Sequence, residues 1–408
     1  MRVLVINCGS SSIKFSLYEI AADETLLLSG RIERIGEPES FTLFREHSTT
    51  GKTAEAHQTT AVNDHTAGMK RIVDYLRAKL GSMQSLQAVG HRVVHGGESF
   101  QAPTLINSEV MESIRSMVPL APLHNPANLI GIEAITQLCP QLPQVVVFDT
   151  AFFHSLPPHA YRYAVPEVWY EDHKVRRYGF HGISHQFVAN AAADHLQKAL
   201  HELRIITLHL GNGASAAAIR NGVCIDTSMG MTPLEGLVMG TRCGDIDPSL
   251  TFYLARNSDM GLNKIETLFN QSSGLKGICG VNDMREVHRL ANEGNVQAQL
   301  AIDMFCYRIC KYIGAYYVAL GGLDALIFSA GIGENDSLIQ QIICNKLAVL
   351  GGSIKQQHTQ SNTTGIMDIS ANNSKVKVLV IPTNEELEIA RQTAAFIGPQ
   401  PRRPSAGK

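Results

Sequence analysis

Residues 3–19 read "VLVINCGSSSIKFSLYE", and residues 204–222 read "RIITLHLGNGASAAAIRNG". In the first stretch an apolar run meets Asn7, a Gly-Ser turn follows from Gly9, and Lys14 opens a second run that alternates apolar with polar residues. Alternation of period two marks a strand with one buried face, and a Gly-Ser cluster between two such runs marks a turn. Strands are therefore expected over residues 3–6 and 14–18. The second stretch repeats the plan. Laid over the first without gaps, His209 falls on Asn7 and Gly211 on Gly9. Strand, polar residue, glycine turn and strand, twice in one chain, point to a duplicated domain with a cleft between the copies. Gly-rich turns after strands are common, so the echo alone leaves coincidence open.

Outward from these stretches, strand-like and helix-like segments alternate, the pattern of an α/β protein. Helical spacing runs through residues 65–80 and 109–117. "VGHRVVHGG" (89–97) is a short β-rich run closed by two glycines, and "QVVVFDT" (144–150) is a buried strand that runs into Asp149. The proline-rich "SLPPHAYRYAVP" follows, so a domain boundary is expected near residue 150. Residues 301–320 read as a long helix with apolar residues on several faces. "LDALIFSAGIGEN" (323–335) reads as strand then glycine turn, and residues 376–397 as strand then helix. The tail from Gly398 reads as disordered.

A chain of 408 residues exceeds one compact core, and two domains of ordinary size are expected. Its formal net charge of -2 lacks the basic surplus of a nucleic-acid binder. No apolar run is long enough to span a bilayer, and the N-terminus turns polar at Asn7, unlike a secretory leader. The eight cysteines are scattered, mostly within apolar runs, with no C-x-x-C pair. They read as reduced thiols of a cytoplasmic protein, not as disulfides or zinc ligands.

Glycine-rich turns are expected after strands at residues 9–12, 211–214, 274–280 and 331–334. Glycine lets main-chain N–H groups close on phosphate oxygens, and Lys14 adds a point charge. The opening stretch lacks the Walker pattern. "GNGASA" (211–216) fits the dinucleotide pattern G-x-G-x-x-A, but that pattern should open a long helix. The Asn-Gly pair at Asn221 and Gly222 fits a β-hairpin instead. A nucleotide cleft therefore accounts for the turns better than a dehydrogenase does.

Charged residues crowd the same strand ends. Arg92 lies between His91 and His95 before a glycine pair, Arg242 lies in "GTRCGDIDPS", and His181 lies in "RRYGFHGISH". Each has a structural reading: a solvated arginine, a packing histidine, and for Asp149 a turn-capping acid. Glu385 has one too, because Thr383-x-x-Glu386 reads as a capping box and Glu385 complements the helix dipole. What weighs against these readings together is the number of polar residues at the ends of apolar strands beside glycines.

Taken together, "NCGSSSIKF", "GHRVVHGG", "PLHNPAN", "VFDTAF", "RRYGFHG", "HLGNGAS", "DTSMGMTPLEGLVMGTR", "GIGEN" and "TNEE" resemble the acetokinase family, in unbroken order from Val3 to about Ala390. The resemblance implies two actin-like, ribonuclease-H-like domains with a duplicated βββαβαβα core and an interdomain nucleotide cleft. Residues 1–150 with a returning helix in 385–408 would form the first domain, and 151–384 the nucleotide-binding second. It also implies a homodimer and the reversible transfer of the ATP γ-phosphate to acetate, giving acetyl phosphate and ADP, with Mg²⁺ or a substituting Mn²⁺. Asn7 and Glu385 then serve the metal, Lys14 the phosphates and Arg92 the acyl carboxylate. Asp149, His181 and Arg242 form the catalytic group. His209, Leu210, Gly211, Asn212 and Gly213 surround ATP, together with Asp283, Met284, Arg285, Gly331, Ile332, Gly333, Glu334 and Asn335. Val94, Leu123, Phe180 and Pro233 line the methyl pocket. The chain departs from the family pattern at Cys243, Cys279 and Asn282, where serines are common. It departs also at Phe153 and His154, and at Ile183 in place of a threonine.

The implied chemistry suits these residue types. A carboxylate nucleophile, with a pKa near ~4.3, is ionised at neutral pH and needs no general base. The difficulty is an anion approaching a polyanion, so cations and donors around the transferring oxygens are the main need. Direct in-line transfer is expected, with Arg242 and His181 at the equatorial oxygens and Asp149 orienting an arginine or a metal-bound water. Relatives that prefer propionate tend to carry alanine where this chain has Val94, so acetate is expected over propionate. A propionate kinase is the alternative. A non-catalytic actin-like ATPase clamp is a remoter one, which would have no use for Arg92, His181 and Arg242 beside small apolar residues.

Overall fold

The computed structural model describes residues 1–21, 23–48, 53–122, 124–355 and 365–398. The expectations for Leu123 and for the tail beyond Gly398 lie outside the described residues. The chain divides into two compact units, one made of Met1–Ala151 with the chain from Asn384 onward, the other of Phe152–Thr383.

In the first unit β1 (Arg2–Gly9), β2 (Ser12–Glu19), β3 (Thr25–Glu33), β4 (Phe41–His47) and β5 (Thr53–Thr59) form an antiparallel meander. Strands β6 (Ala88–Val93) and β8 (Gln144–Phe148) join parallel to β1, and β7 (Thr104–Leu105) closes the edge antiparallel to β8. Alternation sorts the side chains. Leu4, Ile6 and Cys8 of β1 and Ile13, Phe15 and Leu17 of β2 share a core with Met69, Ile72 and Ile135 from the helices His65–Leu80 and Asn125–Leu138. Burying each such side chain is worth about 1.5–3 kcal/mol. The helix Glu385–Ile397 packs on β1, β6 and β8. It needs Gly90, where a Cβ would come within 2.4 Å of Thr393 Oγ1.

The second unit holds β9 (Arg204–Leu210), β10 (Ala214–Arg220), β11 (Val223–Thr227), β12 (Ala325–Ser329), β13 (Met367–Asp368) and β14 (Lys377–Val380). Its order, β11-β10-β9-β12-β14-β13, matches β3-β2-β1-β6-β8-β7 of the first sheet strand for strand. In both, two antiparallel hairpin steps are followed by two parallel strands and an antiparallel edge. The ribonuclease-H-like core is thus present twice. "GNGASA" passes from β9 into the antiparallel β10 and opens no helix. Asn221 and Gly222, with φ of 55° and 79°, make the turn from β10 to β11, as an Asn-Gly hairpin requires.

Three sequence expectations need correction. Residues 274–280 are not a turn after a strand. They form the short helix Gly274–Cys279, which follows the helix Leu262–Gln271. Gly274 serves packing, since at φ 60° a Cβ there would lie 2.1 Å from the Met239 carbonyl. Nor does Thr383 cap the last helix. Asn384 does, its Oδ1 accepting from the Leu387 N–H at 3.0 Å, while the Thr383 N–H is drawn off to Glu334 Oε1. Residues 331–334, expected as a turn, lie in the helix Ala330–Asn335, which starts directly from β12. All eight cysteines are free thiols, and no described helix is long and apolar enough to cross a membrane.

Candidate active site

Strand register assembles a polar cluster in the first unit. Ile6 pairs with His91, and Arg92 with Val147, in parallel ladders. Side chains alternate across a sheet, so Asn7, Arg92 and Asp149 project from one face at the C-terminal strand ends. Lys14 lies directly across from Asn7 on β2. Glu385, the first residue of the C-terminal helix, joins the group. Arg92 Nε and Nη2 donate to Asp149 Oδ1 and Oδ2 at 3.0 and 2.5 Å, a bidentate pair. Its Nη1 donates to Asn7 Oδ1 at 3.3 Å, and Glu385 Oε2 lies 3.9 Å from Nε. Five guanidinium N–H groups are available, and these bonds leave one on each Nη.

Burial opposes the Arg92 charge, but Asp149 and Glu385 outweigh it and raise its pKa. Burial pushes the Glu385 carboxyl up to about 7. Arg92 pulls the other way, and Asp149 adds to the rise. A divalent cation would relieve that buried charge, and the oxygens of Asn7 and Glu385 are donors of the kind Mg²⁺ takes. Among the described residues no three His, Cys, Asp or Glu side chains converge to enclose a metal. An open set of this kind fits an ion that keeps several waters.

In the second unit, alternation on β9 sends Ile205, Thr207 and His209 to one face, with Ile205 packed among Val188, Ala189 and Ala192 of the helix Gly182–Leu196. The same face turns from apolar to polar toward the strand's C-terminal end. Ser215 of β10 lies directly across from His209. His181 precedes that helix in the left-handed region at φ 59°, where a non-glycine residue is strained. Its ring stacks on His209 with centroids 4.1 Å apart. Its Nδ1 lies 2.9 Å from Ser215 Oγ. His185, one turn on, contacts the same hydroxyl, and Phe153 packs edge-on against it. The His209 Nδ1 contacts Ser184 Oγ, which in turn contacts Thr383 Oγ1.

Arg242 donates through Nη1 to the Pro233 carbonyl at 2.9 Å. Burial lowers its pKa, and among the described residues no carboxylate pairs with it. A Cβ on Gly213 would stand 3.4 Å from His181 Nε2 and 3.5 Å from Arg242 Nη1. Both side chains therefore border the space this glycine leaves open. The loop that carries Pro233 is held by Arg177, which donates to the carbonyls of Thr227, Ser228 and Met229 and pairs with Glu235 at 2.5 Å.

The parallel pairing of Ser329 with His209 sets the Gly211 turn beside the start of the helix Ala330–Asn335. Asn212 accepts from Gly240 N–H at its carbonyl and from Asn282 Nδ2 at Oδ1, so one of the departures from the family pattern braces this turn. Glu334 accepts from the Ala330 and Thr383 amides. Asp283 caps the helix Met284–Asn292 and pairs with Arg285. The Cys243 and Cys279 thiols each donate to a backbone carbonyl at 3.2 Å. Val94, in the first unit, is buried and donates its N–H to Asn128 Oδ1. Phe180, buried, and Pro233, half-buried, belong to the second unit. Leu123 lies outside the described residues. Thr207, Ser184, His185, Ser215 and Arg177 received no role from the sequence. The one available signal was the four-residue spacing of His181 and His185.

A family model described as the acetokinase family matches residues 2–391. The chain is 48% identical over 401 residues to an acetate kinase of Syntrophobacter fumaroxidans, covering 97% of each. Among solved structures it resembles a Porphyromonas gingivalis acetate kinase, with a TM-score of 0.88, 42% identity and coverage of 97% of this chain and 99% of that one. It also resembles a propionate kinase of Francisella tularensis, with a TM-score of 0.88, 41% identity and coverage of 96% and 98%.

Proposed function

The chain belongs to the acetokinase family, phosphotransferases with a carboxyl group as acceptor, and from that premise we propose that it transfers the γ-phosphate of ATP reversibly to acetate, giving acetyl phosphate and ADP. The observation that carries the reading is Arg242, a largely buried cation with no described carboxylate partner, beside His181 at Gly213. A cation so placed calls for an anionic ligand, and donors around a transferring phosphoryl group are what the reaction demands.

The roles divide by unit. In the first, Asp149 holds Arg92 along its Nε–Nη2 edge, and the remaining N–H on each Nη receives the acetate carboxylate. The carboxylate is its own nucleophile, so Asp149 orients Arg92 and abstracts no proton. Lys14 adds charge for the phosphates. Asn7 and Glu385 would hold Mg²⁺, which when bound supplies positive charge to the phosphate oxygens. In the second unit Arg242 and the His181 Nε2 edge meet the equatorial oxygens in an in-line transfer. The segments at His209–Gly213, Asp283–Arg285 and Gly331–Asn335 surround the nucleotide. Val94, Leu123, Phe180 and Pro233 line the methyl pocket. The reading extends to a cytoplasmic homodimer.

The likeness to a solved propionate kinase gives a second reading, and Val94 argues against it, since the bulk of valine fills space a longer acyl chain would need. Trapping acyl phosphate with hydroxylamine, using acetate, propionate and butyrate in turn, tests class and substrate together. Hydroxamate is expected most with acetate. No hydroxamate from any of the three would overturn the kinase reading, and equal kcat/KM for acetate and propionate would overturn the preference.

A further inference from the structure

We propose that Thr207, His185 and Ser215 form a one-way hydrogen-bond chain that fixes His181 as the Nε2–H tautomer, making all three positioning residues for the transfer. The proposal rests on the role given to His181 above. Thr207, His185 and Ser215 are each fully buried. His185 Nδ1 lies 2.7 Å from Thr207 Oγ1, and His185 Nε2 lies 2.7 Å from Ser215 Oγ. Ser215 Oγ lies 2.9 Å from His181 Nδ1. Burial, with His209 adding to it, keeps the pKa of His185 well below the ordinary histidine value, so its ring carries one proton.

Proton counting then orders the chain. Ser215 has one hydroxyl proton and faces two ring nitrogens. If both nitrogens were bare, one lone pair would face the serine oxygen with no proton between them. If both were protonated, the serine proton would have no acceptor. One ring must therefore donate to Ser215 and the other accept from it. Either both rings carry the proton on Nε2 or both carry it on Nδ1. Thr207 decides between them. Its only described side-chain contact is His185 Nδ1. Were His185 protonated there, the buried Thr207 hydroxyl would have no acceptor, and a buried unsatisfied donor is costly. With Thr207 donating, every proton is placed: Thr207 to His185 Nδ1, His185 Nε2–H to Ser215, and Ser215 to His181 Nδ1. The His181 proton is left on Nε2, the edge that borders the open space at Gly213 beside Arg242. Two donors then face one volume, as an anionic phosphoryl group requires, and bonds in such a chain polarise one another. Sequence places the four groups on β9, β10 and one helix terminus, and only strand alternation brings them into line.

The test uses the full chain labelled with ¹⁵N-histidine, reading ring tautomers from two-bond proton–nitrogen correlations. The two signals are assigned by loss in His185→Gln and His181→Gln. Both rings are expected as Nε2–H in the unaltered protein. An Nδ1–H form of either overturns the proposal, whatever the variants do. Thr207→Val keeps the shape of the side chain and touches neither His181 nor substrate. It is expected to shift the tautomer signals of both histidines and to lower kcat several-fold, with the KM for acetate and for ATP within twofold. Thr207→Ser is expected to restore both readouts. Unchanged His181 signals and kcat in a folded Thr207→Val protein would overturn the chain. A His181→Ala enzyme with full kcat would instead sink the catalytic role of His181 and leave the tautomer result standing on its own.

Discussion

Arg242 and Arg92 are both largely enclosed, and they differ in company. Arg92 has Asp149, Asn7 and Glu385 around it, whereas Arg242 has the Pro233 carbonyl and no described carboxylate. Arg92 is thus a positioned charge, and Arg242 is an unneutralised one. Arg242→Ala is expected to lower kcat by roughly 10³ or more, with a smaller change in acetate KM. Steady-state kinetics at saturating ATP read this, and an unchanged kcat would sink the assignment. In the proposed methyl pocket Val94 would act through volume alone. Val94→Ala is expected to raise kcat/KM for propionate relative to acetate by about tenfold, within the roughly 1–3 kcat/KM-determining kcal/mol that a methylene decides in such a pocket. An unmoved ratio would remove Val94 from the pocket.

At the scale of elements, the helix Glu385–Ile397 delivers Glu385 to the cluster. Its entry is fixed by Asn384, whose Oδ1 caps Leu387 N–H at 3.0 Å and accepts from the Tyr18 hydroxyl at 3.1 Å. Asn384→Ala removes the cap, worth ~1 kcal/mol, and leaves a buried tyrosine donor unmet, at a further ~1 kcal/mol or more. Urea unfolding should show a loss of roughly 2 kcal/mol, and Asn384→Asp, which keeps both acceptors, should recover most of it. Equal stability of the Ala and Asp variants would show that the cap is idle. The hairpins and the helix His65–Leu80 were legible in sequence because their signals are local: alternation, Gly-Ser and Asn-Gly turns, helical spacing. The stretch at Gly274 was misread because its glycine answers a backbone approach from Met239, a residue far off in sequence.

Across the whole molecule, the raised pKa of Glu385 ties folding to pH, and its proposed role as a metal ligand would tie folding to metal as well. Its folded pKa, about 7, stands above the ordinary carboxylate value. A raised pKa contributes stability that is complete below the unfolded value, ~4.3, and is lost as pH rises through the folded one. The metal-free protein should therefore lose this contribution between about pH 4.5 and 7. Mg²⁺ at Glu385 should offset the loss, so adding it in place of EDTA should raise Tm more at pH 8 than at pH 5. An equal rise at both would count against Glu385 as a ligand, and Glu385→Gln should flatten the difference. Sequence by itself determined the α/β class, the doubled strand–turn–strand plan, and the polar residues at the strand ends, because backbone alternation and glycine turns are written locally. Those grounds mark Arg92 and Asp149 only as polar residues at strand ends, and the roles expected of them and of Asn7 come from the resemblance to the acetokinase family. Tertiary structure alone decided that Asp149 grips Arg92 by two hydrogen bonds along one edge, that Glu385 reaches them from the far end of the chain, and that Thr207, His185 and Ser215 line up behind His181. Those outcomes depend on strand register and helix packing between segments far apart in sequence, and local patterns carry no record of them.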